Sequence, residues 1–293
     1  MLRRPFGNSG LQVPALAFGA MQIGDPQLAE SHVGRLLNHV LDAGLTLIDT
    51  ARSYGMAEER IGRHLARRRD EFVLSTKVGY GVAGVPDWSY ECILRGVDDA
   101  RSRLQTDVID IVHLHSCGRA ILEAGEVTNA LERCRADGKI RVAAYSGDDA
   151  PLQYALASGQ FGAIQASVSV CDQQSLTLLQ QAQTPAIGTI AKRSLAGRPW
   201  AGTFSGDFVH DEYRRRFATL RESLAITPAN WDEFALRFAA FAPGVDSVIV
   251  GGIDAANVDR NVAAVRKGAL EAEHTTALQK VYEAHAGEWP GLV

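Results

Sequence analysis

The sequence predicts an α/β fold of the (β/α)8 barrel type, and three observations carry that prediction. Eight short apolar runs recur along the chain, most of them followed by amphipathic stretches with apolar residues at three- and four-residue spacing. Charged and hydroxylated residues cluster just behind the runs, where barrel enzymes carry their chemistry. No GxGxxG follows the first run, where the rival open, doubly wound sheet would hold a pyrophosphate. Strands alternating with helices imply parallel pairing, because parallel neighbours need a crossover connection.

The elements follow in order. The first run is residues 15–18. HVGRLLNHVLDAG then reads as a helix with Gly44 at its C-cap, before the second run, 45–48. EERIGRHLARRR, in a helix beginning near Ala57, leads to the third run, 72–76, and ECILRGVDDARSRL separates it from the fourth, 108–114. VTNALERCRADG ends at Gly138 before the fifth run, 140–145. The sixth, seventh and eighth are 163–168, 186–190 and 247–250. A long stretch, about residues 191–246, separates the last two. It opens on AGRPWAGTFSGD and then turns helical, as a rim loop over a ligand would. Length alone allows two domains, but no linker, low-complexity tract or close repeat interrupts the alternation, so residues 1–293 are expected to form one domain. The 28 glycines among 293 residues exceed the usual share of about 7% and suit a chain that turns repeatedly.

Composition narrows the function classes. Lys and Arg number 30 against 34 Asp and Glu, a net charge of −4, with 46% hydrophobic and 22% charged residues. These values fit a soluble globular protein and exclude a disordered chain. Without a concentrated basic patch, neither nucleic acid nor a membrane surface is an expected partner, and the basic run at residues 214–216 reads as a solvated helix face. Residues 150–191 carry one charge, Asp172, but eight glutamines and Pro185 break them up, so no membrane span is expected. The opening MLRRPFGNSG has no apolar stretch behind its arginines and reads as no signal peptide. Cys92, Cys117, Cys134 and Cys171 lie far apart with no CxxC pair, which points to reduced thiols in a cytoplasmic protein and to no metal site.

Four residues behind the runs can carry chemistry. Asp49 closes LTLID; it either caps the next helix at the surface or, if buried, needs a partner. Lys77 closes FVLSTK and is either solvated or turned inward toward Asp49. Tyr54 follows in DTARSYG, where packing against the next helix is the plain alternative. His113 and His115 share one face of DIVHLHS; the deeper His113 suits a structural hydrogen bond, whereas His115 stands at the rim. Together, a carboxylate, a phenol, an ammonium and an imidazole can protonate an oxygen as a carbonyl becomes an alcohol. A tyrosine near pKa ~10 is a poor acid at neutrality, and a neighbouring ammonium is expected to lower that value.

These residues stand in motifs that resemble the aldo-keto reductase superfamily along nearly the whole chain. RRPFGNSGLQVPALAFGAMQIG is similar to its N-terminal hairpin and first strand, LIDTARSYG to its DTAxxYG signature, and STKVG to its catalytic-lysine strand. DVIDIVHLHS resembles the strand ending in its catalytic histidine, GKIRVAAYSG its GKIRxIGVSN, and IGTIAKRSLAGRPW its seventh strand. The resemblance implies a (β/α)8 barrel of the TIM type with an N-terminal hairpin and a C-terminal helix. It also implies hydride transfer between NADPH or NADH and a small carbonyl or alcohol, sugars included. By motif position Tyr54 is the general acid/base, Lys77 and Asp49 tune it, and His115 orients the substrate. Ser146 and Gln165 correspond to holders of the nicotinamide carboxamide.

Several positions depart from the pattern. Gly147 replaces the usual Asn after the serine, and Lys192 replaces an aromatic that stacks on the nicotinamide. Gly251, Gly252 and Asn257 stand for the Lys, Ser and Arg of NADPH-specific members, while Asn261 keeps its adenine-side position. Asparagine cannot copy the paired hydrogen bonds of arginine to phosphate, so the choice between the two cofactors stays open. Lys192 or Arg193 is expected to meet the pyrophosphate, with a surface salt bridge the alternative for Arg193. Met21, Tyr80, Trp88, Cys117, Trp200 and Trp289 are candidate pocket residues or plain packing. The other class of function compatible with the resemblance is a cofactor-binding regulatory or structural subunit on the same barrel. The oligomeric state is not legible.

Overall fold

A computed structural model of the chain describes residues 1–184, 186–203, 206–289 and 291–292; the breaker Pro185 lies outside the described residues. The first strands, β1 (Arg3–Pro5) and β2 (Gln12–Pro14), form an antiparallel hairpin. Eight more follow: β3 (Leu16–Gly19), β4 (Leu47–Asp49), β5 (Val73–Val78), β6 (Ile109–His115), β7 (Ile140–Ser146), β8 (Ala163–Ser167), β9 (Gly188–Lys192) and β10 (Ser247–Gly251). They close into a barrel in sequence order, with β10 beside β3 and every neighbour parallel. The (β/α)8 reading therefore holds.

Each expected run became a strand, and two start two residues later than their apolar residues suggest. Leu45 still bonds back to Val40 O at 3.1 Å, and Ile187 to Ala182 O at 2.9 Å. Both residues are closing the end of the preceding helix, so the strand begins only once that turn is complete.

The helices form the outer layer: α1 (Glu30–Asp42), α2 (Ala57–Leu65), α3 (Tyr90–Leu104), α4 (Arg119–Ala124), α5 (Glu126–Ala136), α6 (Asp149–Ser158) and α7 (Leu176–Ala182). Helices α8 (Phe208–Ser223) and α9 (Trp231–Ala240) lie inside the long segment before β10, and α10 (Ala255–Arg266) and α11 (Ala272–His285) follow it. Gly44 and Gly138 follow α1 and α5 with φ of +89° and +73°, the left-handed turn that ends a helix cheaply only for glycine.

Two apolar cores result. The larger lies between helices and barrel wall. The smaller fills the barrel itself with Ala17, Leu47, Val73, Ile111, Val142, Ala144, Ala163 and Ile190. Phe6, Leu11 and Val13 from the hairpin end join it and plug the N-terminal mouth. A cluster of Arg69, Asp110 and Arg141 lies beside that plugged end, and the C-terminal mouth carries the polar layer that follows from the strand ends.

Candidate active site

Strand period does the first sorting. Successive side chains alternate between the two faces, so a residue two places after an inward one also points inward. Continuing from the barrel core, Leu47 leads to Asp49, Val73 to Ser75 and Lys77, and Ile111 to His113 and His115. Ala144 leads to Ser146, Ala163 to Gln165 and Ile190 to Lys192 in the same way. Register then sets them side by side, with Asp49 opposite Ser75, Lys77 opposite His113, His115 opposite Ser146, and Ser146 opposite Gln165. One polar layer caps the apolar one.

Within that layer Lys77 and Asp49 form a buried pair, 2% and 3% exposed, with Nζ 2.5 Å from Oδ2. Lys77 also donates to the Thr50 carbonyl at 2.8 Å. The other Asp49 oxygen accepts from Ser75 Oγ at 2.8 Å and from Gln165 Nε2 at 3.0 Å. A buried ion pair is tolerable only when its remaining bonding capacity is filled, and here it is. The surface-cap alternative for Asp49 and the solvated alternative for Lys77 both fall away. Tyr54 stands over this pair, with Lys77 Nζ 5.1 Å from its ring centre, and its ring meets His115 edge-on at 6.0 Å. His113 is fully buried and bonds Ser75 Oγ at 3.1 Å, the structural role expected of it.

The charges follow from this packing. Burial pushes the Asp49 carboxyl up, but the Lys77 ammonium and the bonds to Lys77 and Ser75 outweigh it and hold the carboxyl below its usual range. Burial pushes Lys77 down, and Asp49 and Tyr54 more than restore it, so the ammonium persists. The expectation for Tyr54 needs correcting. Burial raises its hydroxyl, Lys77 lowers it, Asp49 raises it again, and the balance lies above the ordinary tyrosine value. Burial outweighs the ammonium that was to acidify Tyr54, and the carboxylate that holds that ammonium adds to the rise. His115 is driven down to about 3, by burial first and then by the Lys77 charge, with Lys192 adding to it, and His113 to about 4. Both imidazoles are neutral near pH ~7, far above those values.

Tyr54 owes its position to backbone contact. A Cβ on Gly24 would come 1.8 Å from the Tyr54 carbonyl oxygen, and Gly55, at φ +52°, sits against the Gly24 carbonyl. The loop carrying Gly24 is pinned by Arg60, which is 2% exposed and donates to the carbonyls of Ile23, Asp25 and Leu28 at 2.6, 2.7 and 2.8 Å. Beside Tyr54 opens a cavity of about 610 Å³ that runs past Ser53 and Gly55 to Gly252 and Asn257, with Met21 at its lip.

The remaining sequence-derived positions divide. Ser146 donates to Gln165 Oε1 at 2.9 Å, so the two amide-holding candidates are bonded to each other and, through Gln165, to Asp49. Gly251 ends β10, Gly252 and Asn257 line the cavity, and Asn261 lies one turn further along α10. Lys192 does not reach out along the rim. Its ammonium is 2.5 Å from Asp148 Oδ2, and Asp148 also accepts from Ser167 N at 2.7 Å. Arg193 donates to the carbonyl of Leu292 and makes no surface salt bridge among the described residues. Gly147 has a steric reason: a Cβ there would lie 2.3 Å from the Tyr145 hydroxyl, which is fixed by the Cys117 carbonyl at 2.9 Å. Of the pocket candidates, Met21 lines the cavity, and Tyr80, with Trp88 against it, contacts His115. Cys117 is buried, Trp200 packs on Phe217 and Trp231, and Trp289 packs on Tyr282 and His285.

Three contributors were not legible. Arg60 falls on a helix read as merely amphipathic, and Asp148 looks like an ordinary helix cap in SGDDAP. Ser75, in STK, had the inward period as its only signal.

The family model described as Aldo/keto reductase family matches residues 15–283. L-galactose dehydrogenase of Arabidopsis thaliana is 27% identical over 286 residues, covering 89% of this chain and 87% of that protein. D-threo-aldose 1-dehydrogenase of a Pseudomonas species is 30% identical over 163 residues, 45% of this chain and 50% of that protein. The holo form of aldo-keto reductase AKR11C1 from Bacillus halodurans superposes with a TM-score of 0.82 at 29% identity, covering 96% of each chain.

Proposed function

The chain belongs to the aldo/keto reductase family and is an oxidoreductase acting on carbonyl and alcohol groups, and on that premise we propose that it moves a hydride between NADPH or NADH and a small carbonyl or sugar, with Tyr54 as general acid/base. The observation that carries this reading is the convergence of Tyr54, the buried Lys77–Asp49 pair and His115 at the open mouth of the barrel. Relatives named for sugar oxidation support the substrate class.

The residues fit a nicotinamide cofactor. Ser146 and Gln165 offer a hydroxyl and an amide that complement a carboxamide, linked to the Tyr54 neighbourhood through Asp49. The 610 Å³ cavity leads away from Tyr54, and a Cβ at Gly252 would meet nothing within 4 Å, which leaves room for an extended ligand along the strand ends. Asn257 and the neighbouring Arg260, which donates to its side-chain oxygen, stand at the far end and suit either cofactor. Lys192 and Arg193 reach pyrophosphate only by leaving Asp148 and Leu292. Among the described residues no helix is long and apolar enough to cross a membrane. We read residues 1–293 as one domain, and the four free cysteines suit a cytoplasmic setting.

When bound, the cofactor gives or takes the hydride. The protein's own part concerns the proton. Tyr54 keeps its proton at neutral pH and passes it to the substrate oxygen as that oxygen gains charge. Lys77, held charged by Asp49, lies beside the hydroxyl and stabilises the phenolate left behind. Neutral His115 hydrogen-bonds the same oxygen and fixes its approach. In the oxidative direction the proton runs back to Tyr54.

Parallel fluorescence titrations with NADPH and NADH, followed by turnover of L-galactose and of p-nitrobenzaldehyde, test the reading. Tyr54→Phe is expected to keep cofactor binding and lose about 10²–10⁴ in kcat. Failure to bind either cofactor, or wild-type turnover in Tyr54→Phe, refutes it.

A further inference from the structure

His115 has two ring nitrogens, and their surroundings differ. Nδ1 lies 2.8 Å from the Tyr80 hydroxyl, and the two rings stack at 5.6 Å with 22° between their planes. Nε2 has no hydrogen-bond partner among the described residues, and His115 keeps some exposure. Tyr80 oxygen also meets Ser53 Oγ, at 3.3 Å. A tyrosine has one proton to give, and its 2.8 Å contact with Nδ1 is much shorter than its 3.3 Å contact with Ser53, so the stronger bond is the one to the ring nitrogen and the Ser53 contact is secondary. We propose that Tyr80 is a positioning residue that holds His115 in the tautomer with the proton on Nε2, so that the free N–H and the Tyr54 hydroxyl face the same opening.

The surroundings of Tyr80 are built for this. Gly79 precedes it at φ +142°, and a Cβ there would lie 2.1 Å from the Trp88 indole. That close packing sets Trp88 5.7 Å from the Tyr80 ring. Gly81 follows, its carbonyl gripped by Arg52 at 3.0 and 2.8 Å and its N–H bonded to Asp87 at 2.8 Å. Arg52 is braced by Asp99 at 2.9 Å. The middle residues of DTARSYG thus act on Tyr80. Arg52 fixes the turn that carries it, and Ser53 Oγ lies 3.3 Å from its hydroxyl.

The chemistry gives the tautomer its value. A substrate carbonyl oxygen accepts hydrogen bonds, so an imidazole that presents a lone pair to it repels, and one that presents N–H attracts. Without a partner on Nδ1 a neutral imidazole divides between its tautomers, and both the N–H and the ring orientation are lost for part of the time. This inference deepens the proposed function and depends on it for its effect on rate, although the tautomer itself does not.

The test joins a spectroscopic and a kinetic readout on Tyr80→Phe. Long-range proton–nitrogen NMR of the imidazoles, on protein without cofactor, assigns the proton of His115, with His115→Asn identifying the signal. Wild type is expected to show an Nε2–H, and Tyr80→Phe a mixture or the Nδ1–H form. Turnover of p-nitrobenzaldehyde by Tyr80→Phe is expected to fall about 5- to 10-fold in kcat, the worth of one hydrogen bond, with unchanged cofactor affinity. An Nδ1–H in wild type, an unaltered tautomer in the variant, or a kcat within about twofold of wild type each overturns the proposal. If wild type turns over no probe while Tyr80 still sets the tautomer, the functional reading fails and the positioning of His115 stands.

Discussion

Replacing Lys77 by Met tests the core of the site, because it removes one partner of an ion pair sealed from water. Asp49 would remain 3% exposed with its charge uncompensated. Breaking a buried pair from one side destabilises by about 3–5 kcal/mol. The bonds from Ser75 at 2.8 Å and Gln165 at 3.0 Å stay in place, so the low end of that range, ~3 kcal/mol, is expected. At roughly 2.1 cal/mol/K of unfolding entropy per residue, a chain of this length should lose about 5 °C in Tm. Asp49→Asn combined with Lys77→Met removes the stranded charge, and the double variant should recover about 1–3 kcal/mol relative to the sum of the singles. The pH dependence has a definite sign. In wild type the depressed carboxyl of Asp49 contributes stability that is present above the ordinary carboxylate range and lost as pH falls through the folded value. In Lys77→Met burial acts on Asp49 without the ammonium and raises its pKa, so the gap to wild type narrows toward acid pH. Thermal and urea unfolding followed by circular dichroism measure all of this. Simple additivity of the two substitutions, with a gap independent of pH, would show that the pair is not coupled.

Three further predictions concern the same region. Gly147→Asn, which installs the residue common in the family, should destabilise by about 1–3 kcal/mol because its Cβ meets the Tyr145 hydroxyl, and Tyr145→Phe in the same chain should restore part of that loss in urea unfolding. Gly24→Ala forces the Tyr54 backbone aside and should lower kcat about 10²-fold at unchanged cofactor affinity, measured by titration and steady-state kinetics. The pH profile of kcat/KM for carbonyl reduction should be flat through neutrality, because His115 titrates at about 3, and should fall only where the raised Tyr54 hydroxyl ionises. An acid limb near pH ~6.5, the ordinary imidazole value, would count against the neutral His115.

Much of the site was legible in the sequence for a simple reason. Asp49, Lys77 and His115 each end an apolar strand, the place where barrel enzymes carry their chemistry, although whether Asp49 and Lys77 turn inward was settled only by the packing. Arg60 was hidden for the opposite reason, and Tyr80 was legible as a candidate pocket residue but not as a partner of His115. Arg60 works by reaching carbonyls of a loop more than thirty residues away in sequence, and Tyr80 by a bond to a side chain thirty-five residues on. Lys192 illustrates the limit of motif alignment: its position was foreseen, but its partner Asp148 comes from another strand end. The acidity expected of Tyr54 failed because one neighbour was counted; Asp49 and burial enter only when distances are known.

By itself, the sequence determined the count of barrel strands, their alternation with helices, the polar residues at the strand ends and the family motifs that they compose. These are properties of short segments, governed by backbone period and by the need to bury apolar faces. The tertiary structure decided which charges meet, which are buried and which nitrogen of His115 is free. Those depend on barrel closure, which brings Asp49, Lys77, Gln165 and Ser146 within hydrogen-bond reach across strands far apart in the chain. Electrostatic energies change steeply with distance and with exclusion of water, and closure sets both.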